Sequence, residues 1–272
     1  ILLEMSNIFN YHSNNNYIYT NQEDALRIML ERNVFLTGPA GSGKTFLLKA
    51  FIENSLKSNR KVAVTAMTGS AAYLINGRTL HSWAGIRLGK EDKEELVDKI
   101  YGNFKARVNW KYVETLIIDE ISMLTLTLLG KLDYIARKIR NNDQPFGGIH
   151  LILSGDFCQL PPIEDLEEEN QNKDYCFKSS LWNDIIDYNL CLNTIYRQED
   201  NVFQKMLNKI RIGKVDNDIS KILRKCTRKK INKDALIQPT KLFPYKKDVE
   251  RINKKHLLKL NNNVITHDIK TQ

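Results

Sequence analysis

Cysteine is scarce in this chain: four in 272 residues, Cys158, Cys176, Cys191 and Cys226, with no two in a C-x-x-C spacing. That spacing would be needed for a zinc ribbon or a dithiol redox motif, so the four read as reduced thiols of an intracellular protein. Long apolar runs are missing too. None approaches the ~18 residues that a membrane span requires. Ile1 to Asn10 lacks the basic start and apolar stretch of a signal peptide, so no membrane partner is expected. No unit of ~20–50 residues recurs, which excludes a solenoid or propeller. Acids are the minority: 32 Asp and Glu stand against 41 Lys and Arg, a net charge of +9. A basic excess favours a polyanionic partner, nucleic acid ahead of a membrane surface. The remainder, 42% hydrophobic and 27% charged, is ordinary globular usage, enough for one good core or for one domain plus part of another.

What is present is an alternation. Asn10 to Asn21 is polar and Asn-rich and reads as a loop or leader. Ala25, Leu26, Met29 and Leu30 then lie at helical spacing behind the capping candidate Asn21. Val34-Phe35-Leu36 and Val62-Ala63-Val64 read as buried strands, with a helix between them carrying Phe46, Leu47, Ala50 and Phe51 on one face. Leu116-Ile117-Ile118 and Ile149 to Leu153 read as two more strands, separated by a long helical pattern from Leu124 to Ile139. Strands alternating with helices imply right-handed crossovers and a mainly parallel sheet covered on both faces, an α/β fold. Glu164 to Asn170 is expected to form a solvated acidic loop. Leu181 to Ile186 suggests a short helix and Tyr188 to Leu192 a strand. Beyond these come an amphipathic helix from Val202 to Ile210, a basic piece from Lys221 to Lys230, a strand Lys241-Leu242-Phe243, and a helix through Val249, Ile252, Leu257 and Leu258.

Gly38-Pro39-Ala40-Gly41-Ser42-Gly43-Lys44-Thr45 fits G-x-x-x-x-G-K-[ST] at every fixed position, between an expected strand and an expected helix. The chemistry needs these residue types. Glycines let backbone N–H groups turn inward around phosphate oxygens, and the helix N-terminus adds partial positive charge. Lys44 is placed to reach the β and γ phosphates of ATP, and the Thr45 hydroxyl to ligate Mg2+. Leu116 to Ile118 then delivers Asp119 to a strand end, where that Mg2+ belongs. Glu120 follows, positioned to orient and deprotonate an attacking water. This pair favours hydrolysis over phosphoryl transfer to a small acceptor. A GTPase should also carry Asn-Lys-x-Asp, and neither Asn172-Lys173-Asp174 nor Asn232-Lys233-Asp234 has the spacer.

With Val64 to Gly69, Leu80-His81-Ser82-Trp83-Ala84-Gly85, Ile117 to Leu124, Gly147-Gly148, Gly155-Asp156-Phe157-Cys158-Gln159-Leu160-Pro161-Pro162 and Tyr196-Arg197-Gln198, the chain resembles the Pif-type helicases of superfamily 1 from about Gln22 to about Leu260. The resemblance implies a P-loop, RecA-like motor that hydrolyses ATP to move 5′ to 3′ on single-stranded DNA and unwind duplexes in replication, repair, recombination and telomere maintenance. It implies that Gln22 reads adenine, that Gln159 senses the γ-phosphate and couples it to DNA, and that Arg197 reaches the γ-phosphate. Thr68, Gly69, His81 and Trp83 match DNA-contacting positions. Taken alone, each residue has a plainer reading: Gln22 as a polar helix start, Arg197 as a surface ion-pair partner, Trp83 as core filling, and His81 as a satisfied structural residue.

The expected organisation is a leader over 1–20, a first RecA-like domain over 21–195, and the start of a second over 196–272. Two further family motifs and a small β-barrel insertion are not found before Gln272, so a fragment of a longer protein is expected. The expected partners are single-stranded and forked or structured DNA, and the expected state is a monomer. The compartment is nucleus or mitochondrion in a eukaryote, or the cytoplasm of a bacterium or of a virus-infected cell. A binding module that keeps nucleotide affinity without turnover is the main alternative. Intact Lys44, Asp119, Glu120 and Gln159 argue against it.

Overall fold

Seven short strands form one sheet in which every neighbouring pair runs parallel. The computed structural model describes residues 17–162, 174–228 and 239–260. In chain order its elements are β1 (Tyr17–Thr20), α1 (Gln22–Glu31), β2 (Val34–Thr37), α2 (Lys44–Lys57), β3 (Val62–Ala66), α3 (Gly69–Leu74), β4 (Arg78–Thr79), α4 (Leu80–Ala84), α5 (Lys93–Gly102) and α6 (Phe104–Tyr112). There follow β5 (Thr115–Asp119), α7 (Leu126–Arg140), β6 (His150–Ser154), α8 (Leu181–Ile185), β7 (Tyr188–Leu192), α9 (Asn201–Arg211), α10 (Asn217–Thr227) and α11 (Lys246–Leu257). The strand order across the sheet is β1-β7-β2-β6-β5-β3-β4.

The apolar strand residues divide between two cores with the two-residue period of a pleat. Phe35, Leu116, Ile118, Leu151 and Leu153 face a core shared with α4 through α8. Val34, Leu36, Ile117 and Ile152 face a second core with Ala25 and Met29 of α1 and Leu47, Leu48 and Phe51 of α2. Burial on both faces explains why these strands read as unbroken apolar runs. Several helices start where polar side chains satisfy free N–H groups. Asn21 Oδ1 accepts from Asp24 N at 2.9 Å, and Thr125 Oγ1 accepts from Leu128 N at 3.1 Å. At its far end α7 closes on Asn141 in the left-handed region, and Arg140 ties that end to its surroundings. Arg140 donates to the carbonyls of Gly147 at 2.7 Å, Val113 at 2.9 Å, Trp110 at 3.1 Å and Lys111 at 3.2 Å.

Several expectations are corrected. Tyr17 to Thr20, read as leader, is an edge strand paired with β7 from Tyr17↔Asn189 to Thr20↔Leu192. Its half-exposed, mixed-polarity side chains carry no run to announce it. Lys241-Leu242-Phe243 forms no strand; Leu242 is 93% exposed, and no described neighbour supplies the ladder hydrogen bonds a strand needs. By compactness the chain divides into two units between Ile219 and Ser220, and the described segment from β7 to Ile219 belongs to the first. In the second unit, α11 buries no side chain. The acidic loop, residues 1–16, and Lys229 and Lys230 of the basic piece lie outside the described residues. No described helix is long and apolar enough to cross a membrane.

Candidate nucleotide site

The sheet order explains why distant residues meet. Strands β1, β7, β2, β6 and β5 are successive neighbours and all parallel, so their carboxyl ends share one edge. Ligands of open α/β sheets bind at such an edge. From β1 it receives Gln22, from β7 the segment Ile195 to Arg197, from β2 the loop Gly38 to Thr45, from β6 Asp156 to Gln159, and from β5 Asp119 and Glu120.

The loop turns through left-handed glycines into α2. Gly43, the residue before the helix, has φ 91° and ψ 17°. A Cβ there would overlap the Gln22 side-chain amide and stand 3.8 Å from the Tyr196 ring; one at Gly41 would lie 2.6 Å from Arg197 Cβ. Tyr196 N donates to the Gly41 carbonyl at 2.9 Å. Gln22, Tyr196 and Arg197 therefore pack directly on the loop, with Pro39 and Ala40 forming its outer turn. Lys44 Nζ donates to the carbonyls of Gly38 at 2.7 Å and Pro39 at 3.2 Å. Burial pushes its ammonium below the ordinary value, against the pull of Asp156 and Asp119. The Ser42 hydroxyl is buried with no hydrogen-bond partner, as expected of a loop shaped to take oxygens of a ligand.

Asp119 is 7% exposed at the end of β5. Burial raises its carboxyl above the usual range, while Ser154, the Glu120 backbone and Lys44 pull it back. Glu120 holds φ 56° and ψ 43°, a left-handed conformation uncommon for a side chain with a Cβ and of the kind found at functional turns. Its carboxyl is raised by burial and by Asp119. A buried carboxylate that interacts electrostatically with Lys44, the residue before Thr45, suits a divalent cation. Thr45 and Asp119 fit Mg2+ with water completing its shell, and no cluster of three or more His, Cys, Asp or Glu among the described residues offers an alternative site.

Asp156 and Arg211 also belong to this edge, and sequence reasoning assigned neither a role. Asp156 is 1% exposed and accepts from Arg211 Nε and Nη2 at 2.6 Å each. Burial acts to raise this carboxyl, yet Arg211 carries it below the usual range. Gln159 Nε2 donates to the same carboxylate at 3.2 Å. Asp156 lies within the motif from Gly155 to Pro162; Arg211 has no local signal, because its partner lies 55 positions away.

The expected DNA positions divide. Thr68 caps α3, its Oγ1 accepting from Ala71 N at 3.3 Å, and a Cβ on Gly69 would meet open space. His81 is half-buried, and burial lowers its imidazole. Trp83 is 5% exposed, its ring 4.7 Å from that of Trp110. The core-filling reading of Trp83 therefore holds in this structure, and its face is not available to a base.

Comparison with known proteins agrees with this geometry. The model of the PIF1-like helicase family matches residues 12–221. The ATP-dependent DNA helicase RRM3 of Saccharomyces cerevisiae is 43% identical over 243 residues, covering 88% of this chain and 33% of its own length. The uncharacterized protein 030L of Invertebrate iridescent virus 6 is 42% identical, covering 91% of this chain and 49% of its own. The crystal structure of Pif1 helicase from Candida albicans superposes with a TM-score of 0.83 at 39% identity, over 91% of this chain and 56% of that one. The Bacteroides Pif1 helicase in complex with ADP-AlF3 and single-stranded DNA gives 0.72 at 32% identity, over 91% and 59%. The chain thus spans about a quarter to a half of the length of the curated relatives it matches. Phosphate loop, paired strand-end acids, parallel sheet and matched residues agree, and the chain belongs to the PIF1-like helicase family.

Proposed function

We propose that this chain is the first motor domain of an ATP-dependent DNA helicase, with the segment from Tyr196 leading into a second RecA-like domain. The observation that carries the reading is the convergence on one sheet edge of the loop around Lys44, the acids Asp119 and Glu120, and Gln22, Gln159 and Arg197. Backbone N–H groups from Gly41 to Thr45 cradle the phosphates of ATP, and Lys44 leaves the Gly38 and Pro39 carbonyls to meet the β and γ oxygens. Thr45 and Asp119 would hold Mg2+, which when bound would neutralise phosphate charge. Glu120 accepts the proton of the attacking water, a task suited to a carboxylate whose proton affinity is raised. Gln22 lies against Gly43, where an adenine edge can be read. Gln159 and Arg197 address the γ-phosphate.

Single-stranded DNA is the partner the reading favours, crossing the face that carries Thr68, Gly69 and His81; the net positive charge suits it. The Bacteroides relative is bound to single-stranded DNA, and another similar solved structure concerns unwinding at forked duplex DNA by two coordinating Pif1 helicases. Because ATP and genomic DNA meet there, we place the work inside the cell, in the nucleus, the mitochondrion, or a bacterial or virus-infected cytoplasm. We take the monomer as the working unit.

A motor must bind DNA differently in different nucleotide states, and that coupling is reciprocal. Affinity for a fluorescent single-stranded oligonucleotide, measured with a non-hydrolysable ATP analogue and with ADP, should differ about fivefold or more. DNA should alter the ratio of analogue to ADP affinity by the same factor. Equal DNA affinity in every nucleotide state would favour a binding module without coupling.

A further inference from the structure

Three features lie outside the expected machinery. The open cavity of about 720 Å³ near Arg60, Glu114 and His150 lies at the opposite edge of the sheet, and none of the buried unpartnered side-chain atoms among the described residues belongs to its lining. The exposed side chains Tyr73, Leu74 and Phe104 carry nothing that identifies an occupant. The ion pair between Asp156 and Arg211 is different, because one member touches a residue of the nucleotide site.

We propose that Arg211 is a positioning residue for triphosphate recognition: its two-pronged grip on Asp156 sets where Gln159 stands beside the phosphate loop. The inference rests on the nucleotide-site reading above. Asp156 accepts four hydrogen bonds on its carboxylate: Arg211 Nε on Oδ2 and Nη2 on Oδ1, both at 2.6 Å, Cys158 N on Oδ1 at 3.1 Å, and Gln159 Nε2 on Oδ2 at 3.2 Å. Its backbone carbonyl accepts Gln159 N at 2.8 Å. Gln159 is itself exposed, and the hydrogen bonds it makes among the described residues both go to Asp156. A paired fork of this geometry gives direction as well as strength. Arg211 is the last residue of α9, so the ion pair docks that helix onto the loop after β6. Between them lies a cavity of about 230 Å³ lined by Pro39, Ala40, Asp156, Gln159, Gln204 and Arg211. Any shift of the guanidinium moves the carboxylate and, with it, the amide that faces the phosphates.

Arg211→Lys retains the charge beside the buried carboxylate but loses the fork. The paired replacement Asp156→Asn with Arg211→Gln removes both charges and serves if the lysine variant does not fold. The readout is discrimination: calorimetric affinity for a non-hydrolysable ATP analogue divided by that for ADP, in wild type, Arg211→Lys, Gln159→Ala and the double variant of the 272-residue chain. Arg211→Lys should shrink the preference for triphosphate about fivefold or more, leave ADP affinity within about twofold, and add nothing in the Gln159→Ala background. Effects that multiply would overturn the proposal, as would a wild-type chain with no preference for the triphosphate. Loss of affinity for both nucleotides together would also overturn it and assign the pair to folding alone. Hydrolysis is not used, so a chain that fails to turn ATP over contradicts the functional reading without touching this test.

Discussion

Gly43→Ala perturbs the site at its tightest point. Gly43 sits at φ 91°, and a Cβ would enter the space of the Gln22 amide. Holding alanine in the left-handed region costs about 1–2 kcal/mol. The overlap itself is relieved if Gln22, a flexible side chain, swings off the loop. A fold of this size should therefore lose only about 2–8 °C of Tm. The larger effect falls on the nucleotide. Losing one hydrogen bond to a charged ligand is worth about 1.5–3 kcal/mol, so affinity for an ATP analogue should fall about ten- to a hundredfold. Thermal melts and calorimetry read the two quantities separately. In a Gln22→Ala background the stability cost of Gly43→Ala should shrink toward the backbone term alone. A Gly43→Ala chain that binds the analogue as tightly as wild type would refute the cradle argument.

Three further outcomes are expected. Arg140→Met removes the donor that spans four carbonyls, costing about 3 kcal/mol and about 6–12 °C of Tm. Analogue affinity should hold, because Arg140 reaches the turn that precedes β6, at the sheet edge opposite the loop. Trp83→Phe should leave affinity for single-stranded DNA within about twofold, because its ring packs on Trp110; a stacked base would be worth about 1–3 kcal/mol and a larger loss. His150 is held neutral: Nε2 faces the Arg32 carbonyl at 2.8 Å, Nδ1 faces Thr115 Oγ1 at 3.2 Å, and burial lowers its pKa below 6.5. The unfolded chain takes up the proton first as pH falls, so this contribution is complete above 6.5 and declines below it. Urea melts at pH 7.5 and 5.5 should show a smaller loss for His150→Gln than for wild type.

How much of this could be read from the residues depends on where the information lay. Val34 to Thr37 and Thr115 to Asp119 are buried on both faces, so their hydrophobicity is local and visible. The phosphate loop is local as well. β1 was hidden because an edge strand with one neighbour needs no apolar run. α5 and α6, with charged, weakly patterned sequences, drew no reading as helices although Leu96, Ile100, Ala106 and Trp110 anchor them. Trp83 could not be placed from its motif, because burial and DNA contact ask for the same aromatic residue. The Asp156–Arg211 pair joins positions that only the sheet order brings together.

The most direct test of the account is steady-state ATP hydrolysis by this chain, with and without single-stranded DNA, beside Lys44→Ala. The account predicts hydrolysis that rises with DNA and disappears in the variant. A folded chain that binds neither nucleotide nor DNA, or one whose turnover survives Lys44→Ala, would contradict it.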